Sequence, residues 1–200
     1  MKLFNLRAYP HYFRLGCWRI LAHVIGSQKG VALGKKVRFL GRPIISIADG
    51  SRVQIGDRAV ICSDSRYTEL GVNHPTIIRT IRSGATVSIG EDSGLSGTSL
   101  CAALSISIGR ECLVGANVII ADTDFHPLTP IGRRYNKDCE SVPAKPIIIG
   151  NNVFIGANSV ILKGANIGDN SVIGAGSIVT SSIPINSIAA GNPARVIPKL

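Results

Sequence analysis

Ile149, Ile155, Ile161, Ile167, Ile173 and Val179 place an aliphatic side chain at every sixth position. A helix repeats every 3.6 residues and a strand every 2, so neither explains the spacing and the repeating unit is supersecondary. Several of these aliphatics are followed by Gly, and smaller residues (Val153, Ser159, Ala165, Ser171, Ser177) stand four positions after the first five. Three such hexads close one triangular coil of a parallel β-helix, with the aliphatics pointing inward and stacking from coil to coil into ladders.

The same phase appears at Ile108, Val114 and Ile120, and in fragments at Leu33, Phe39, Ile45, Ile55 and Ile61. The β-helix is therefore predicted over residues 31–184, between a segment 1–30 and a tail 185–200. Phase slips between Ile47 and Ile55 and between Cys101 and Ile108, and the poor fit of Ser63 to Ser83, predict bulges or short excursions. Ahead of the repeats, Phe13, Cys17, Ile20, Leu21 and Val24 lie at helical spacing behind Pro10. They predict an amphipathic helix from about His11 to Ile25, which either covers the open end of the coil stack or attaches to a membrane surface.

The pattern is lost most plainly after Ile120. After Ile120 the next aliphatic is due at position 126, where the chain reads Asp122-Thr123-Asp124-Phe125-His126-Pro127, and the phase returns only at Ile149. Long loops in compact repeats are uncommon and usually functional. The loop 127–146 carries Arg133, Arg134, Lys137 and Lys145 with four prolines, so it is basic and partly stiffened. Asp124 takes a small inward position, where a carboxylate needs a partner. His126, two residues on, shares its face if the strand stays extended. Such a pair suits a general base and its orienting carboxylate. The plainer alternative is an Asx-turn at Asp122 or Asp124 beside a merely exposed histidine.

Composition refines this picture. The 200 residues are 45% hydrophobic but only 5% aromatic, with 22 glycines, which fits narrow repetitive packing. The net charge is +10, and residues 1–58 hold eleven Lys/Arg against Asp49 and Asp57. A basic first third suits a solvated face, an anionic membrane or a phosphate-bearing substrate, and no nucleic-acid-binding motif accompanies it. Five scattered cysteines without metal spacing suggest a reduced, cytoplasmic protein, and Leu15 to Gly26, broken by Arg19 and His23, is too short to span a bilayer. His11, His23, His74 and His126 include no pair five residues apart, which argues against a zinc hydratase on this architecture.

The run Asp122 to Pro127, the stretch Ile155 to Gly164, Ser171 to Thr180 and the close Ala189-Ala190-Gly191-Asn192-Pro193-Ala194-Arg195 resemble the bacterial hexapeptide-repeat sugar O-acetyltransferases, particularly those of polysaccharide biosynthesis. The resemblance implies a mainly β fold, a left-handed parallel β-helix with a protruding catalytic loop, assembled as a homotrimer with acetyl-CoA between adjacent copies and no metal. It implies that His126 is the general base, with Asp124 its orienter by position. Gly156, Ala157, Gly174 and Ala175 would lie along the pantetheine arm, and Thr180 and Arg195 near the nucleotide end. Ser181-Ser182 replace the family's usual Lys-Asp, for which Lys199 is a candidate substitute, and Phe154 replaces a common Trp. Thr98 and His74 are acceptor-side candidates. The expected acceptor is a sugar, lipid-linked or nucleotide-linked glycan met at the inner face of the membrane. N-acetylation of an amino sugar or an antibiotic, and a noncatalytic scaffold, are the alternative functions.

Overall fold

The computed structural model describes residues 20–198. Residues 20–26 are α-helical, with Ile25 buried and Leu21 and Ala22 partly buried against the core, so this last stretch of the expected helix packs on the end of the coil stack. The rest of the expected helix, with Phe13 and Cys17, lies outside the described residues.

From Val31 the chain winds as a left-handed β-helix of three parallel sheets. The first stacks Val31–Leu33, Arg52–Ile55, Thr86–Ile89, Ser105–Ile108, Ile147–Ile149 and Asn166–Ile167. The second stacks Arg38–Leu40, Val60–Cys62, Gly94–Ser96, Leu113–Val114, Phe154–Ile155, Val172–Ile173, Ile188–Gly191 and Ala194–Ile197. The third stacks Ile44–Ser46, Ile77–Thr80, Ser99–Ala102, Ile119–Ala121, Val160–Leu162 and Ile178–Val179.

The aliphatic period becomes three ladders. In the second sheet Phe39, Ile61, Leu95, Val114, Ile155, Ile173 and Ala189 lie in register, and in the third Ile45, Ile78, Leu100, Ile120, Ile161 and Val179 do the same. The small residues of the repeat are also buried, and their hydroxyls are satisfied by nearby carbonyls: Ser159 Oγ donates to Gly156 O at 2.8 Å and Ser177 Oγ to Gly174 O at 2.6 Å. A serine fits there because it fills little volume and its hydroxyl reaches the corner carbonyl three residues back. The corners themselves need positive φ, which asparagine tolerates well, and Asn117, Asn152, Asn158, Asn170 and Asn186 all adopt it. Asn152, Asn170 and Asn186 hydrogen-bond side chain to side chain down one corner.

Two stretches differ from the sequence reading. The segment expected as a tail supplies the last rungs: Ile188–Gly191 pairs with Val172–Ile173 and then antiparallel with Ala194–Ile197. Ala189, fully buried, ends the ladder with a methyl group where the period offered no large aliphatic. In the irregular stretch Ser63 to Ser83, residues 63–76 leave the coil through a 3₁₀ turn at Ser65–Tyr67, but Ile77–Thr80 is an ordinary rung with Ile78 fully buried.

The outer faces are unequal. The outward ladder of the first sheet reads Ala32, Gln54, Ser88, Ser107, Ile148 and Asn166, with Ile148 its one large exposed apolar side chain, whereas the second presents Leu113, Phe154 and Ile188 and the third Ile44 and Ile119, each large and substantially exposed. Exposed apolar columns on two sheets and a largely polar third are an uneven surface for an isolated monomer.

Candidate active site

The chain departs from the third sheet after Ala121 and rejoins the first at Ile147. The root of the loop is closed by a bridge from Thr123 to Ala144 and by Asp124 N–H donating to Pro143 O at 3.1 Å. Lys145 N–H donates to Asp122 O at 2.9 Å. Within the loop, Arg133–Tyr135 and Cys139–Ser141 form single 3₁₀ turns, the second capped by the Asp138 carboxylate, which accepts from Glu140 N–H.

The structure separates the two residues expected to act as a pair. Phe125 takes φ +61°, so the strand does not stay extended, and His126 is exposed with no hydrogen bond to Asp124. Asp124 Oδ1 instead receives Lys163 Nζ at 2.5 Å, one coil further on, and its buried Oδ2 has no hydrogen-bond partner. The orienting role expected of Asp124 is therefore not made in this structure: the carboxylate is tied to the coil, and His126 makes no hydrogen bond among the described residues. Nor is either aspartate a simple Asx-turn. Asp122 is fully buried and reaches the coil below, accepting from Ala103 N–H at 2.6 Å and Leu104 N–H at 2.7 Å. Burial pushes its carboxyl above the usual carboxylate range, and those amides pull the other way.

The acceptor-side candidates fare differently. Thr98 is corrected: its side chain is fully buried at an inward corner position, in the hexad shortened at Gly97, and it faces the core. A residue inside the coil cannot touch an acceptor outside it. His74 lies at the corner between the second and third sheets, partly buried, with Nδ1–H donating to Pro75 O at 2.8 Å.

Gly156, Ala157, Gly174 and Ala175 come together on that same corner, in consecutive coils. A Cβ on Gly156 would stand 2.4 Å from Ala175 N, and one on Gly174 would stand 2.9 Å from Ala190 Cβ. Coil stacking by itself demands these glycines, and the result is a ridge almost free of side chains. Arg195 is exposed and cross-strand from Ala190, so it sits over the end of this ridge. Thr180 is exposed at the opposite edge of the third sheet, the edge that carries His126. Lys199 lies outside the described residues.

The sequence reading assigns Lys163 no partner and offers Asp122 only as an Asx-turn. Lys163 lies 39 residues from Asp124, a separation that only the coil stacking closes. The described residues hold no cluster of three His, Cys, Asp or Glu that could hold a metal ion.

A family model for the hexapeptide repeat of succinyl-transferase matches residues 84–121 and 146–181, on either side of the loop. Over 93 residues the chain is 44% identical to a polysialic acid O-acetyltransferase of Escherichia coli O1:K1 / APEC, covering 46% of this chain and 29% of the relative. Over 94 residues it is 42% identical to the 2,3,4,5-tetrahydropyridine-2,6-dicarboxylate N-acetyltransferase of Halalkalibacterium halodurans, covering 47% of this chain and 33% of the relative. The chain thus spans about a third of the length of these two curated relatives. Among solved structures it is similar to a galactoside acetyltransferase in complex with coenzyme A, with a TM-score of 0.50, 26% identity, and coverage of 100% of this chain and 84% of that one. The hexad period, the three-sided coil and these matches agree: the chain carries hexapeptide repeats over residues 84–121 and 146–181 and is similar there to hexapeptide-repeat acetyltransferases.

Proposed function

We propose that this chain transfers an acetyl group from acetyl-CoA to a sugar hydroxyl, with His126 as the general base. The observation that carries the reading is an exposed imidazole, free of hydrogen bonds, at the root of the basic loop 127–146 that interrupts the repeat. The ring is exposed and holds no hydrogen bond, so in its neutral form it can take the acceptor proton as the oxygen attacks the thioester carbonyl. The imidazolium then returns the proton to the departing coenzyme A thiolate. The bare ridge at Gly156, Ala157, Gly174 and Ala175 suits close approach of a pantetheine arm, and the Arg195 guanidinium suits phosphate oxygens.

Within one chain the ridge and His126 stand at opposite edges of the third sheet, roughly 10–13 Å apart for strands of three or four residues. A neighbouring copy that packs its third sheet on the apolar second sheet would bring one chain's histidine toward the next chain's ridge. A head-to-tail contact of this kind closes as a ring when its rotation is a third of a turn, and the three-sided coil suits that, which is what favours a homotrimer. His74, on the ridge corner, then becomes a candidate for the acceptor side.

A polysaccharide or lipid-linked acceptor is the favoured class, and the basic first third suits a cytoplasmic protein held at an anionic membrane face. No helix among the described residues is long and apolar enough to cross a membrane. Liposomes containing anionic lipid should retain the protein, and failure to do so weakens this placement. N-acetylation, of an amino sugar or an antibiotic, is the second reading; the N-acetyltransferase relative favours the amine as acceptor group without pointing to a sugar.

The test is acetyl transfer read by mass spectrometry across nucleotide sugars, amino sugars, lipid-linked glycans and polysaccharide fragments. His126→Ala should abolish transfer while leaving coenzyme A binding intact. Near-normal turnover in that variant would sink the general-base role.

A further inference from the structure

Arg82 is one of the few charged residues buried among those described, its side chain 8% exposed, and nothing so far gives it a task. It lies on the corner between the third and first sheets, two coils below the loop root. Its guanidinium reaches out of the coil to the far limb of the loop. Nε donates to Cys139 O at 3.0 Å, and Nη2 donates to Cys139 O and Val142 O at 2.5 Å each. The Glu140 carboxylate adds a looser ion pair at 3.6 Å, and Val142 is buried beside it.

Burying a guanidinium is costly unless its donors are taken up, and here carbonyls of a distant segment take them. The coil between Arg82 and the loop root is bound in the same way. Asp122 holds Ala103 and Leu104, so Arg82, the 103–104 corner and Asp122 form consecutive layers of one corner, all attached to the loop. Apart from Arg82, the loop's anchors gather at its root, on residues 122–124 and 143–145.

We infer that Arg82 is a positioning residue that clamps the far limb of the loop against the coil and thereby fixes where His126 stands. The inference rests on the reading of this loop as the catalytic one, but the clamp itself can be measured without any acceptor. A guanidinium is required because one planar group must serve two carbonyls three residues apart, which a lysine ammonium serves less well.

The experiment compares Arg82→Met and Arg82→Lys with the unaltered chain. Limited trypsin digestion reads the clamp, because Arg133, Arg134 and Lys137 are cleavage sites within the loop. The His126 imidazole resonance, assigned by its loss in His126→Ala, reads the positioning. Losing charge-assisted bonds to two carbonyls should speed loop cleavage about tenfold or more in Arg82→Met. The His126 resonance should move in the same variant, Arg82→Lys should restore part of both effects, and coenzyme A should bind all three proteins alike. Loop cleavage within twofold of the unaltered chain overturns the clamp. Faster cleavage with an unmoved His126 resonance overturns the positioning role. Loss of coenzyme A binding in both variants also overturns it, since Arg82 would then support the coil rather than the loop. If His126→Ala stays active while Arg82→Met frees the loop, the general-base reading fails and the clamp stands.

Discussion

Removing one partner of the Lys163–Asp124 pair distinguishes the two roles open to Asp124. In Lys163→Met the carboxylate keeps its place at the loop root but loses the ammonium at 2.5 Å, and Oδ2 is already without a partner. Breaking a fully buried pair costs about 3–5 kcal/mol and an exposed one about 0.2–1 kcal/mol. The two side chains are 27% and 21% exposed, which places this pair between those limits, at about 1–3 kcal/mol. Asp124→Asn should cost a similar amount, and the double variant should cost less than the sum, because the second change removes a group already stranded by the first. Urea unfolding at fixed protein concentration measures the cycle, and kcat is followed in the same four proteins. If Asp124 acts only through Lys163, both single variants lower kcat alike and modestly, through a loosened loop root. If it orients the imidazole, Asp124→Asn alone should lose kcat by up to about 10⁴-fold. A loss above a hundredfold in Asp124→Asn, with Lys163→Met near normal, would refute the reasoning from this geometry.

Asp122 sets a pH dependence. Burial raises its carboxyl above the ordinary value of about 3.9, so the folded chain holds the proton more tightly than the unfolded one. Its contribution is therefore most favourable below that value and declines as pH rises through the elevated folded one; the stability difference between the unaltered chain and Asp122→Asn should shrink from pH 4 upward, and a difference that grows refutes this. Gly156→Ala drives a methyl against backbone at 2.4 Å and should cost about 3 kcal/mol or more, while Gly176→Ala, with open space around it but φ +70°, should cost about 1–2 kcal/mol; thermal unfolding ranks them. If the proposed trimer forms, Leu113→Glu or Ile119→Glu should break it in a sedimentation experiment, and Ser107→Glu on the largely polar first sheet should not.

The repeat was legible because a β-helix makes the same local demand at every turn: an aliphatic inward, a small residue near the corner, Gly or Asn where φ turns positive. Those demands act on neighbours six residues apart, so Ile149 through Val179 announced the coil and its failure at His126 located the loop. Ala189 escaped because a methyl group can end a ladder without continuing the aliphatic period. Thr98 escaped because a single-residue shortening at Gly97 turned it inward, and no period records which residue a shortened corner buries. The partners of the loop were out of reach altogether. Whether Asp124 meets His126 or Lys163 depends on the single positive φ at Phe125 and on which coil stacks above, and Arg82 meets Cys139 across 57 residues of chain. The sequence by itself determined the coil and the place where it opens; the stacking of coils, which brings distant side chains within about 5 Å, decided what holds the opening in shape.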